Sequence, residues 1–84
     1  MSSNPPVQVD ARGYRCPVPV LRLQRALRDI SGGDVVILLA SDPMARVDVP
    51  FFCEQAGHVL QDAQSQADCT AFTVIKSRST SAGR

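Results

Sequence analysis

The run Val35-Val36-Ile37-Leu38-Leu39-Ala40 limits the fold of this 84-residue chain more than any other feature. Six consecutive apolar residues, half of them β-branched, suit one strand and are far too few to span a bilayer. No polar residue alternates through the run, so it reads as a central strand covered along its length. Such a strand needs neighbours on both edges and apolar stripes laid across it.

The flanking segments supply both. Val7-Gln8-Val9-Asp10 alternates apolar and polar, as a short strand does, and Gly13 leaves room for a tight turn after it. From Pro17 to Ile30, Val20, Leu23, Leu27 and Ile30 recur at three- and four-residue spacing beside Ala26, while Arg22, Arg25, Arg28 and Asp29 fall mainly on the other side. That pattern predicts an amphipathic helix opened by Pro17 and closed by Ser31-Gly32-Gly33, with a glycine as its left-handed cap. After the central strand, Ser41-Asp42-Pro43 marks a turn with Asp42 as a candidate cap. Pro50 cannot sit deep in a helix without breaking a bond, so the expectation is an irregular turn over Met44 to Val47. A helix capped by Asp48 then runs through Phe51, Phe52 and Cys53 to Gly57. His58 to Gln66 reads as a weak, polar strand, Ser65 to Asp68 as a turn, and Cys69 to Lys76 as a stronger strand.

The order β-α-β-α-β-β predicts an α/β two-layer sandwich: a four-stranded mixed sheet with two helices on one face. Residues 7–77 form the single domain, with flexible tails expected at 1–6 and 78–84. At this size one core is barely sufficient. With few aromatic residues, it must be aliphatic, with Phe51, Phe52 and Phe72 as its bulky pieces.

Net charge is +1, which gives no broad basic field for nucleic acid or anionic lipid. The charges are nonetheless uneven. Arg12, Arg15, Arg22, Arg25 and Arg28 are five of the nine basic residues, and no acid lies between Asp10 and Asp29. One positive face therefore follows Cys16, suited either to docking a partner or simply to solvation. Three cysteines, Cys16, Cys53 and Cys69, and no leader-like segment at Met1 to Pro6 suggest reduced thiols in a cytoplasm.

Cys16 stands directly before Pro17 and Pro19 at the start of a helix. There the helix dipole, free N–H groups and the nearby Arg12 and Arg15 would favour a thiolate, and the prolines would stiffen the turn. The residues alone leave two readings open: a sulfur nucleophile, or a structural cysteine that precedes a proline-started helix. No second cysteine lies within three residues, so a dithiol-exchange motif is absent. His58 is the only histidine, and Cys16, Cys53, His58 and Cys69 lack the paired spacing of a zinc site.

Arg12-Gly13-Tyr14-Arg15-Cys16-Pro17-Val18-Pro19, followed by a helix, resembles the Cys-Pro-x-Pro signature of the TusA/SirA-like sulfur carrier proteins. Asp42-Pro43, then Asp48-Val49-Pro50-Phe51-Phe52-Cys53 and Gly57-His58, resemble the second signature of that family. The likeness runs from about Val7 to Lys76. It implies the same β-α-β-α-β-β sandwich, with Cys16 accepting sulfane sulfur as a persulfide and relaying it to another protein. No cofactor or metal is implied. Arg12, Gly13, Arg15, Pro17 and Pro19 would support the sulfur, while Arg22, Arg25, Arg28 and Asp48 would serve docking. The implied partners are a cysteine desulfurase or rhodanese-like donor and an acceptor carrier such as a DsrE-like protein. Such relays serve tRNA thiolation, molybdenum cofactor enzymes or sulfur oxidation, and the chain would act as a sulfurtransferase-type carrier rather than a multi-turnover enzyme alone. Val18, where many members carry Glu, and Val47, at an often basic position, are departures on the expected docking surface.

Two other classes are weighed beside this one. A small sandwich of this shape can serve as an RNA-binding or regulatory module, although near-neutral charge and scarce aromatics argue against direct nucleic-acid binding. A redox-sensing thiol protein would require a resolving cysteine for Cys16.

Overall fold

The computed structural model describes residues 5–77. The elements follow the expected order: β1 (Val7–Ala11), α1 (Val18–Arg28), β2 (Val35–Ala40), α2 (Ala45–Ala56), β3 (Val59–Ser65) and β4 (Thr70–Ile75). The sheet is ordered β1-β2-β4-β3. β1 runs parallel to β2 with Val7 opposite Val36 and Ala11 opposite Ala40. β2 and β3 each pair antiparallel with β4, and the β3 register shifts between Leu60 and Asp62. β2 is thus central, as its apolar run requires. The expected tails fall mainly on residues 1–4 and 78–84, outside the described residues; Pro5 and Pro6 are exposed and belong to no element.

Both helices pack on one face of the sheet. Leu23 and Leu27 of α1 and Ala45, Val49 and Cys53 of α2 join Ala11, Val36, Leu38, Ala40, Phe72 and Val74 in one buried cluster. These sheet residues alternate along their strands, as one-sided cover demands. Among the described residues the opposite face carries no helix, and Val35, Ile37 and Leu39 are only half-buried on it. Full cover of β2 along its length is therefore not what forms: a continuous apolar run marks its central place, not burial on both sides.

Proline and glycine positions account for most of the other differences. Pro17 stands at the N-cap of α1, and Pro19 is the proline inside its first turn. The helix ends at Arg28, with Asp29 as a right-handed C-cap, so no glycine closes it. Gly33 instead takes a positive φ in the following turn and donates to the Lys76 carbonyl at 2.9 Å.

α2 begins three residues before the expected Asp48 cap and contains Pro50. Asp42 starts it, taking the Met44 N–H on its carboxylate at 3.0 Å and the Ala45 N–H on its carbonyl at 2.9 Å. Pro50 deprives the Arg46 carbonyl of its helical donor, at a cost of about 3 kcal/mol in a helix interior. Ala45, Val49 and Cys53, spaced four apart and all buried, offset it, since burying one Val-sized side chain contributes roughly 1.5–3 kcal/mol. The same helix turns Phe51 outward, 61% exposed, so the aromatic core is Phe72 with part of Phe52. Cys69 is buried just ahead of β4 rather than within it.

Gly57 closes α2 at φ 83°, and its N–H and that of His58 both donate to the Cys53 carbonyl at 2.9 Å. A Cβ there would meet nothing within 4 Å, so only backbone strain opposes a side chain. Gly57→Ala is therefore expected to lower unfolding stability by about 1 kcal/mol without disturbing packing, as measured by urea denaturation.

Candidate functional site

Because β1 and β2 are parallel neighbours, their C-terminal ends, and the loops that lead into α1 and α2, lie side by side. The β3–β4 turn reaches the same end, with Ser65 opposite Thr70 and Thr70 opposite Ala40. Cys16 stands in the first of these loops.

Two bonds tie the first loop to the second. The Asp42 carboxylate accepts the Cys16 N–H at 2.6 Å, and the Ser41 hydroxyl accepts the Gly13 N–H at 2.8 Å. Gly13 adopts φ 87°, the tight-turn conformation that its position calls for. Arg46, from α2, donates to Ser65 and Thr70 and ties the third loop to the same end. The Cys16–Pro17 peptide bond is cis.

Cys16 is half-buried, whereas Cys53 and Cys69 are buried. Cys53 sits in the apolar stripe of α2, and burial pushes its thiol up to about 11. The Cys69 Sγ lies 3.5 Å from Gln66 Oε1. His58 is half-buried, accepts the Ser77 N–H on Nδ1 at 3.0 Å and lies 5.9 Å from the Phe52 ring, so it is held as a structural residue. Burial and Lys76 lower its pKa. Among the described residues, no three or more His, Cys, Asp or Glu side chains cluster as metal ligands.

The electrostatics at Cys16 reverse the expected picture. Desolvation pushes the thiol up to about 11, reinforced by a hydrogen bond to the Asp48 carboxylate and by the charges of Asp48 and Asp42. The expected guanidinium support is engaged elsewhere. Arg12 donates Nε and Nη2 to the Asp10 carboxylate at 2.9 and 2.8 Å, holding that acid down at about 2. Arg15 is exposed, and its charge acts on Asp42. The helix terminus also offers little, because Pro17 and Pro19 carry no N–H and the Val18 N–H is taken by the Arg15 carbonyl at 2.9 Å. Arg12 and Arg15 therefore do not make a thiolate here, and the charges of Asp48 and Asp42 oppose one.

Of the expected docking residues, Arg22 lies with its guanidinium 4.4 Å from the centre of the Tyr14 ring, beside the Cys16 loop. Arg25 and Arg28 occupy the last turn of α1, roughly 5–9 Å farther along the axis than Arg22 at about 1.5 Å per residue. A shallow groove joins Val18, Leu21, Arg22 and Arg25. Asp48 lies on α2, and its charge acts on the Cys16 thiol. Along α2 and its N-cap, Met44, Val47 and Phe51 are 50%, 60% and 61% exposed and follow one helical stripe next to Asp48.

The sequence does not reveal Asp42 and Asp48 as neighbours of Cys16; it offers Asp42 as a turn cap and Asp48 as a helix cap and docking residue. A usable signal did exist: two parallel strands that end at one edge must bring their following loops together.

Three comparisons with known proteins bear on the family and the fold. A family model described as Sulfurtransferase TusA matches residues 7–76. A candidate sulfur carrier protein of Neisseria meningitidis serogroup A is 47% identical over 67 residues, 80% of this chain and 88% of the relative. The sulfur carrier protein TusA of Pseudomonas paraeruginosa is 37% identical over 68 residues, 81% of this chain and 86% of its own. In fold, the chain is similar to the crystal structure of a SirA-like protein from Desulfitobacterium hafniense, with a TM-score of 0.75 at 24% identity, covering 86% of this chain and 99% of that one.

The Asp42 bonds make a pH prediction. Hydrogen bonds from the Cys16 and Met44 N–H groups hold its carboxyl below the usual carboxylate range. A depressed folded value contributes stability above the unfolded pKa of about 4, and that stability is lost as pH falls through the folded value. Urea midpoints at pH 7 and pH 3 should differ more for the wild type than for Asp42→Asn.

Proposed function

Because the chain belongs to the sulfurtransferase TusA family, we propose that this sulfur carrier holds its sulfur as a persulfide on Cys16. One observation carries the assignment to that residue: among the three cysteines, only Cys16 is not buried. In loading, the Cys16 sulfur attacks the outer sulfur of a donor persulfide, and the donor S–S bond breaks with its electron pair leaving on the donor sulfur. In delivery, an acceptor thiolate attacks the outer sulfur on Cys16, and Cys16 leaves and regains its proton. The sulfane sulfur passes on without net oxidation or reduction.

The partners are a sulfur-donor protein, of the cysteine desulfurase or rhodanese-like kind, and an acceptor carrier such as a DsrE-like protein, all in the cytoplasm. Residues 7–77 act as the single carrier domain, supported at the sulfur by Gly13, Pro17 and Pro19. No helix among the described residues is long and apolar enough to cross a membrane. A redox switch on Cys16 is less well supported, since Cys53 and Cys69, its resolving partners within the chain, are both buried.

Intact-mass spectrometry after incubation with a cysteine desulfurase and cysteine tests the assignment. Wild type should gain the mass of one sulfur atom, and Cys16→Ser should not. An equal gain in Cys16→Ser, or none in wild type, would refute it. The arginine face supplies a second test: Arg25→Glu/Arg28→Glu should slow loading from the protein donor roughly threefold to tenfold at low salt and less at high salt, as a docking charge does.

A further inference from the structure

Two faces of different chemistry flank the Cys16 loop. α1 carries Arg22, Arg25 and Arg28 and no acid. The charged residues of α2 are Arg46, Asp48 and Glu54, and Arg46 is taken by Ser65 and Thr70. On the outer side of α2, away from buried Ala45, Val49 and Cys53, stand Met44, Val47 and Phe51, each at least half exposed. Their spacing of three and four residues places them on one stripe. Large apolar side chains exposed in a row, rather than singly, mark a contact surface. The stripe starts beside the sulfur loop. Asp42 takes the Cys16 N–H on one carboxylate oxygen at 2.6 Å and the Met44 N–H on the other at 3.0 Å, so a single carboxylate separates the two backbones. Phe51 lies about 10 Å farther along the helix, at about 1.5 Å per residue.

Resting on the carrier reading above, we propose that this stripe docks the sulfur acceptor, a protein that presents an apolar patch beside its own reactive cysteine. To take the sulfur, the acceptor must bring its thiolate to the outer sulfur on Cys16, so its surface covers what surrounds that loop. A standard contact of about 800 Å² per partner is roughly 30 Å across, wide enough to include all three side chains. Their chemistry selects an apolar counterpart, because burial there gains from area, whereas the α1 arginines select an anionic one. With the donor on the arginine face, the two partners of one sulfur are told apart by opposite sides of the same loop. A second copy of this chain is the poorer occupant. The three side chains expose on the order of 300 Å² of apolar surface, too little for a permanent pair but suited to a contact that releases after each transfer. The chemistry of delivery is unchanged: the acceptor thiolate bonds to the outer sulfur, and the Cys16 S–S bond breaks with its electron pair on Cys16. The stripe only positions the acceptor.

The test is single-turnover delivery. Carrier loaded by a cysteine desulfurase and cysteine is separated from both and mixed with a DsrE-like acceptor protein, and transfer is followed by intact mass at low and high salt. Wild type is compared with Val47→Ser/Phe51→Ser and with the conservative Val47→Leu/Phe51→Leu. The serine variant should deliver roughly threefold to tenfold more slowly than wild type at both salt concentrations, since apolar contact is not screened. The leucine variant should deliver at close to the wild-type rate. Loading by the desulfurase and delivery to dithiothreitol should be the same in all three, and so should the urea midpoint, because both positions are exposed. Serine-variant delivery equal to wild type overturns the proposal. So does a loss that vanishes at high salt, an equal loss in loading, or wild type that yields its sulfur to dithiothreitol but not to the acceptor. A wild-type dimer that the serine variant abolishes in analytical ultracentrifugation assigns the stripe to a second copy and overturns it too. Calorimetric binding of the unloaded carrier to the same acceptor keeps the two claims apart. Loading at Cys16 with unaltered serine-variant delivery rejects the stripe and keeps the carrier; no loading, with acceptor binding that the serine variant weakens, rejects the carrier and keeps the stripe.

Discussion

One carboxylate joins the two halves of the site. Asp42 takes the Cys16 N–H with one oxygen and the Met44 N–H with the other, so the loop after β1 and the first turn of α2 share a single anchor. Hydrogen bonds to an ionised acceptor are stronger than neutral ones, and two of them directed by backbone leave the loop little freedom. The cysteine is therefore positioned by its main chain, not its side chain, and the sulfur stays available for chemistry. Parallel pairing of β1 with β2 makes the anchor possible, because only parallel neighbours deliver both loops to one edge.

The architecture was legible in the sequence wherever periodicity was strong. The Leu23–Leu27 stripe, the Val35–Ala40 run and the closing strand all lie close to where the pattern put them. Legibility failed at Pro50, where a local rule predicted a break. A stripe of Ala45, Val49 and Cys53, buried against strands distant in sequence, outweighed the lost hydrogen bond. Propensity acts between neighbours, and tertiary burial overrides it. The same displacement of the helix start moved Asp48 from a capping position to the side of the thiol.

The chemistry of the site was legible in outline only. Cys16 could be singled out by its prolines, but the sign of the field around it could not. Arginines near in sequence suggested a positive environment, yet Arg12 folds back two residues to Asp10 and Arg22 lies on Tyr14. The charges that matter arrive from positions 42 and 48, and the fold alone makes them neighbours of residue 16. Sequence proximity is a poor guide to electrostatics where short-range pairing satisfies the obvious charges first.

The two ends of the sheet are fastened by different chemistry. At the end away from Cys16, the Lys76 N–H donates to the Asp34 carbonyl, the Gly33 N–H to the Lys76 carbonyl, and the Lys76 Nζ to the Ile30 carbonyl at 2.6 Å. The acceptors of these bonds are peptide carbonyls, which acid leaves unchanged. The end that holds Cys16 relies on a titratable acceptor. Acid therefore reaches the Asp42 anchor at one pole and the His58 acceptor of the Ser77 N–H at the other, and leaves the carbonyl bonds around Lys76 in place.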